Sequence, residues 1–166
     1  GIPSAVRNVA YSAGNTLSDM AIYDRIEVLK GASGLLSGAG SLGGTINLVR
    51  KKPTAVFQGH ATLGAGSWDN YRSELDVSGP LTETGNVRGR AVAAYQDKHS
   101  FMDHYSRKTE TYYGITEFDL SPDTMLTVGF DYQDNTPKGS SWSGSFPLVN
   151  SNGSINKMPR SYNNGT

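Results

Sequence analysis

The sequence predicts a transmembrane antiparallel β-sheet of the barrel kind, preceded by a small glycine-rich mixed region. Three observations carry this prediction. After residue 56, five stretches of about ten residues alternate polar and apolar side chains with period two. Their apolar sides are built mostly of small and aromatic residues, without the dense Ile, Leu and Val of a sandwich core. Their polar sides carry charge of both signs, which suits a water-filled or plugged lumen. A soluble β-sandwich also alternates, with one face on a core and the other in water, and pattern alone leaves that alternative open.

Composition narrows the class further. A chain of 166 residues is long enough for one domain with a sizeable core. Its 15 basic and 15 acidic residues cancel, so charge does not favour a nucleic-acid partner. Cysteine is absent, which excludes disulfides, thiol chemistry and cysteine-ligated metal. No signal peptide opens the chain and no run approaches eighteen apolar residues, so a helical membrane span is excluded. A strand-built barrel is not. The ends look cut: Gly1-Ile2-Pro3 lacks a start methionine, and the chain stops in the polar run Tyr162-Asn163-Asn164-Gly165-Thr166, so a piece of a larger protein is expected.

Residues 1–53 form the first region. Asp19-Met20-Ala21 can open a brief helical turn, and Tyr23–Leu29 alternates as a strand. A short irregular or helical piece is expected over Ala32–Ser37, then a second strand over Thr45–Arg50. Residues 38–43, GAGSLG, satisfy the spacing G-x-G-x-x-G of a dinucleotide cradle. That cradle needs a helix opening from the glycines, because the pyrophosphate sits on free helix N–H groups. Here the β-branched run TINLV follows, and Pro53 closes the segment. The glycines serve tight turns and close backbone packing instead.

The second region is a meander. Strands are expected at Phe57–Gly66, Asn70–Gly79, Val87–Lys98, Thr111–Leu120 and Met125–Asp134. The second opposes Tyr71, Leu75 and Val77 to Arg72, Glu74 and Asp76; the third opposes Val87, Ala91 and Tyr95 to Arg88, Arg90 and Gln96. The fourth sets Tyr112, Phe118 and Leu120 against Glu117 and Asp119, and the fifth sets Leu126, Val128, Phe130 and Tyr132 against Thr127, Asp131 and Gln133. Short turns at Gly66–Asp69, Gly79–Gly85 and Ser121–Thr124 join them. Longer polar loops are expected over Asp97–Glu110 and after Asn135. Tyr95, Phe101, Tyr105, Tyr112, Tyr113 and Tyr132 collect near strand ends, as in the aromatic girdles of a bilayer interface, and Trp68 marks the outer belt. Five strands cannot close a barrel, so the open edges call for a cover.

Catalytic motifs are missing: there is no G-x-S-x-G, no H-E-x-x-H and no full P-loop, and Ser33 and Ser37 have no evident base. His60, His99 and His104 show no metal-site spacing, although Asp103 lies between the last two.

The stretches DMAIYDRIEVLKGASGLLSGAGSLGGTINLVRKKP (19–53) and GAGSWDNYRSELDVSGPLTETGNVRGRAVAAYQDKHSFMDHY (64–105) resemble the TonB-dependent outer-membrane receptors for ferric siderophores, and the likeness extends over essentially the whole chain. The resemblance implies a transmembrane β-barrel of about 22 strands with an internal plug. Residues 1–53 would be the C-terminal part of the plug and 54–166 the N-terminal portion of the barrel, with its first five strands. It implies a non-enzyme of the bacterial outer membrane whose partners are a ferric siderophore, surrounding lipid, and TonB with its inner-membrane energising proteins. The siderophore brings its own iron, so no intrinsic cofactor or metal site is expected. TonB would act through an N-terminal box outside these residues, and the segment alone would not transport. In the family, the matching Arg25 and Glu27 look like part of a polar lock between plug and wall, with Arg72, Glu74, Asp76, Arg88 and Arg90 as partners; ordinary surface charge is the alternative. Ligand contacts are expected from Arg7 and Tyr11 on an upward-facing plug loop, and from Trp142 and Phe146 beyond the fifth barrel strand, or these aromatics merely pin their loop. The alternative functions are a receptor for another ferric hydroxamate siderophore, and a soluble β adhesion module.

Overall fold

Connections of two to six residues are too short to cross over a sheet, so each strand of the meander pairs with its sequence neighbours. The computed structural model describes residues 19–30, 44–139 and 149–163. Its strands are β1 (Tyr23–Lys30), β2 (Gly44–Arg50), β3 (Gln58–Gly66), β4 (Asn70–Pro80), β5 (Val87–His99), β6 (Ser106–Ser121) and β7 (Thr124–Lys138). β1 and β2 form an antiparallel ribbon, while β3 to β7 form one antiparallel sheet in chain order. A 3-10 turn, Met20–Ile22, precedes β1. Asp19 caps it by accepting a hydrogen bond from the Ala21 N–H at 2.8 Å. The helical piece expected over Ala32–Ser37 lies outside the described residues.

The five barrel strands occur where alternation places them, but two features differ from expectation. The polar segment 97–110 is not a long loop: β5 and β6 stay paired up to His99 opposite Ser106, leaving only residues 100–105 as the connection. Polar residues occupy both faces there, so alternation fades while the ladder continues. β7 likewise runs on to Lys138. Tyr113 does not belong to the outer girdle. It has the parity of Glu117 and Asp119, points inward and is buried, with its hydroxyl donating to the Lys51 carbonyl at 2.7 Å.

Burial in the sheet is the reverse of that in a soluble protein. The inward face is polar and covered: Asp76, Ser78, Thr109, Thr111 and Glu117 are buried, Asp76 being only 6% exposed. The outward face is apolar and open, with Leu63, Leu75, Leu126, Val128, Phe130 and Tyr132 exposed. An apolar face turned away from the protein and a charged face turned toward it match a barrel wall with hydrocarbon outside. The outward positions of β6 from Tyr112 to Leu120 are free of charge. At ~3.4 Å per residue and a tilt of ~40° they rise roughly 20 Å, close to the apolar band of an outer-membrane barrel. Above that band the outward residues turn polar, with Asp97 and Lys108 paired at 3.4 Å. Tyr112 and Tyr132, directly opposite and stacked at 6.4 Å, sit at the boundary.

Among the described residues, one buried apolar cluster interrupts the inward face. Val92, Ala94 and Tyr113 receive Ala21 and Ile22, and Ile22 is fully buried. Burying an isoleucine side chain contributes about 1.5–3 kcal/mol, enough to seat the 3-10 turn on the wall.

Exchanging Phe130, midway along the outward face of β7, for arginine should destabilise the membrane-inserted protein by about 2–4 kcal/mol in a reversible denaturant titration, as expected for a lipid-facing charge near the bilayer centre. Polar substitution of inward Thr127 should change the same midpoint far less.

Candidate functional site: a charged seam between the N-terminal piece and the wall

Charge on the inward face is satisfied partly within the wall and partly by the segment that lies against it. Two groups of ions form the seam. In the upper one, Arg72 of β4 forks onto Asp19, Nη1 to Oδ2 at 2.8 Å and Nη2 to Oδ1 at 2.7 Å. Arg72 Nη2 also donates to Glu74 at 3.1 Å, and the Asp19 N–H donates to the Gln133 side-chain oxygen at 3.1 Å. Fork-on-carboxylate geometry is among the stronger ionic contacts available to a protein. Burial pushes the Asp19 carboxyl upward, but the Arg72 and Ala21 hydrogen bonds, with the charges of Arg72 and Arg107, outweigh it and hold the group below its ordinary value.

The lower group centres on Asp76. Lys51 Nζ reaches its Oδ2 at 2.7 Å, while Arg90 donates from Nε to Oδ1 at 2.8 Å and from Nη2 to Oδ2 at 2.7 Å. Arg90 Nη1 also holds the Lys52 carbonyl at 3.0 Å. Backbone joins in: the Lys51 N–H donates to the Ile22 carbonyl at 3.0 Å, and Thr54 N–H to Ser78 Oγ at 2.9 Å. Arg50 adds an ion pair to Asp131 of β7 at 2.7 Å. The basic run Arg50-Lys51-Lys52 thus leaves β2 along a wall that presents carboxylates to it.

The residues singled out from sequence divide as follows. Arg72, Asp76 and Arg90 hold the N-terminal piece directly, and Glu74 supports Arg72 while lying 3.9 Å from Lys51. Arg88 pairs within the wall, forking onto Asp119 at 2.9 and 3.0 Å. Arg25 and Glu27 bond to each other at 2.7 Å on the exposed polar face of the β1–β2 ribbon, and reach none of the five wall strands. The Asn47 side chain, then Arg25, keeps the Glu27 carboxyl below its ordinary value. Arg7, Tyr11, Trp142 and Phe146 lie outside the described residues. Among the described residues, no cluster of three His, Cys, Asp or Glu could hold a metal ion. Trp68 packs edge-on against Phe101 at 6.2 Å, and Arg160 lies over the Phe101 ring at 5.7 Å, so these groups tie the upper connections together.

Sequence reasoning did not assign Asp19, Lys51 or Tyr113 to the seam. Asp19 had a visible signal, a capping residue just before an apolar turn, and Tyr113 had its inward parity. Lys51 had only its charge, since its pairing with Asp76 depends on how the whole N-terminal piece lies.

Two outcomes follow for the membrane-inserted protein. Replacing Asp76 with alanine strands Lys51 and Arg90 in a partly buried site and should cost about 3–5 kcal/mol in a denaturant titration, whereas Glu27→Gln should leave the midpoint unchanged. Because the folded-state value of Asp19 is depressed, its stabilisation is complete above its unfolded value near pH ~3.9 and is lost as pH falls through the lowered folded value. Hydrogen exchange at the Ala21 amide, read as a protection factor so that the intrinsic slowing of exchange in acid cancels, should therefore stay slow at neutral pH and lose protection only in that acid range. In Asp19→Asn it should be faster at neutral pH, without the acid step.

Comparison with known proteins places this geometry. No family model matches the chain. The ferripyoverdine receptor of Pseudomonas aeruginosa is 81% identical over 165 residues, covering 99% of this chain and 20% of that protein. The ferric-pyoverdine BN7/BN8 receptor of Pseudomonas putida is 52% identical over 132 residues, 80% of this chain and 16% of the receptor. The crystal structure of the P. aeruginosa ferripyoverdine receptor bound to ferripyoverdine superposes with a TM-score of 0.90 at 81% identity, over 98% of this chain and 22% of that one. The alcaligin outer-membrane receptor FauA of Bordetella pertussis gives a TM-score of 0.64 at 41% identity, over 69% of this chain and 19% of that one. The chain spans about a fifth of the length of these relatives. With a sheet whose apolar side faces outward, a charged lumen side and a plug segment seated on it, the chain belongs to the TonB-dependent outer-membrane receptors for ferric siderophores, as plug end and first barrel strands.

Proposed function

We propose that the protein to which these residues belong imports a ferric siderophore, ferripyoverdine, across the bacterial outer membrane with energy delivered by TonB. The observation that carries this reading is the 81% identity to the ferripyoverdine receptor of P. aeruginosa along 165 residues. Iron enters as cargo, held by the siderophore's own donors, so the receptor needs a pocket of hydrogen-bonding and aromatic groups rather than metal ligands.

We assign residues 1–53 to the plug and 54–166 to the barrel. Arg7 and Tyr11 would contact the ligand from the plug, and Trp142 and Phe146 from the loop beyond β7. The seam supplies a joint suited to transport. Ion pairs and hydrogen bonds would hold the plug at rest, and water could replace them one at a time when TonB pulls. An apolar seam of the same area would lack that stepwise exchange. Arg25 and Glu27 would complete the lock against wall strands beyond the five described here.

The 41% identity to the alcaligin receptor favours a second reading, in which the ligand is a different ferric siderophore. A panel of ferric siderophores titrated against the complete receptor in detergent separates the two. Tight, selective binding of a ferripyoverdine is expected. Binding of only a simpler ferric hydroxamate would keep the class and overturn the ligand, and binding of none would overturn both.

A further inference from the structure

Two of the wall ions that hold the N-terminal piece are also paired inside the wall. Arg72 Nη2 is shared: it reaches Asp19 Oδ1 at 2.7 Å and Glu74 Oε2 at 3.1 Å, while Nη1 goes to Asp19 Oδ2 at 2.8 Å. Arg72 and Glu74 stand two positions apart on β4, so their side chains leave the same face of one strand and stay neighbours whatever docks on them. Asp76 repeats the arrangement lower down, holding Lys51 of the N-terminal piece and Arg90 of β5 at once. Glu74 lies between the two groups, with its Oε1 3.9 Å from Lys51 Nζ. The two carboxylates on Arg72 differ in freedom. The Asp19 side chain is 7% exposed and enclosed, whereas that of Glu74 is 22% exposed and has room to turn.

We propose that Glu74 is an exchange partner built into the wall, taking over the Arg72 guanidinium as Asp19 leaves it. The inference rests on the reading of residues 19–53 as a plug that shifts against the barrel, and adds the device by which its upper contact opens. Most of the cost of breaking a partly buried ion pair lies in the charge left behind. Glu74 already touches Arg72, so it needs only to turn to accept both arms of the fork, and the guanidinium is never without a carboxylate. The contact at Asp19 then yields without a bare cation appearing on the wall. Asp76 and Arg90 stay joined in the same way when Lys51 departs.

The test uses the complete receptor in bilayers and needs no ligand. The Asp19 N–H donates to the Gln133 side chain of β7 at 3.1 Å, a bond that spans the seam, so its protection against hydrogen exchange reads how often the contact opens. In Glu74→Gln this amide should become about tenfold better protected, because opening now strands Arg72 without one charge-assisted hydrogen bond. A Glu74 that only steadies Arg72 for Asp19 gives the opposite sign, a loss of protection. Glu74→Asp, which keeps the carboxylate, should stay near the wild-type value. In Asp19→Asn, Arg72 rests on Glu74 whether the contact is closed or open, so adding Glu74→Gln there should give no rise. Unchanged or reduced protection in Glu74→Gln, or an equal rise in the Asp19→Asn background, overturns the proposal. Ferric-siderophore binding by the same receptor tests the receptor reading separately, since the exchange measurement does not depend on which ligand is bound.

Discussion

Hydrocarbon accepts neither charge nor unpaired backbone, and every feature of this chain follows from that constraint. Each strand must satisfy its backbone groups on neighbouring strands, which favours the uninterrupted antiparallel meander from β3 to β7. Within the lipid band each charged side chain must turn inward, so the lumen face collects Arg72, Asp76, Arg90 and Asp131 while Leu75, Val128 and Phe130 face out. The wall is then an unusual surface for protein packing, because the face that meets the rest of the chain is the charged one. A segment that docks there must bring complementary charge.

The N-terminal piece does so with economy. Asp19 meets a guanidinium, while Arg50 and Lys51 meet carboxylates, so the segment brings charge of both signs to the seam. Among the described residues, Ala21 and Ile22 form the hydrophobic peg that seats it on Val92, Ala94 and Tyr113. Ion pairs set orientation and register, since each tolerates only one partner geometry, and the peg contributes the non-directional part of the binding. Among the described residues, this interface rests on one small apolar contact and several directional ion pairs rather than on a dry apolar core.

Alternation made the strands legible, because period two survives wherever one face touches lipid and the other the lumen. It failed at the upper ends of β5 and β6, where Asp97, Lys108 and Glu110 project above the lipid and both faces become polar; a continuing ladder there looks like a loop in sequence. The wall half of the seam was legible too, since Arg72, Asp76 and Arg90 stand out as charges of one parity. Its other half was not. The pairing of Lys51 with Asp76 or Asp19 with Arg72 spans 25 and 53 residues and depends on how one piece of chain lies against another, which no local pattern encodes.

The central claim is that the sheet is turned inside out, its apolar side in hydrocarbon. Single nitroxide labels at successive positions 125–132 of β7, in receptor reconstituted into bilayers, test it directly. Collisions with lipid-soluble oxygen should peak at 126, 128, 130 and 132, and the intervening positions should be shielded. The opposite phase, or equal access of a water-soluble reagent to both sets, would show those apolar side chains packed against protein or water, and the membrane account would fail.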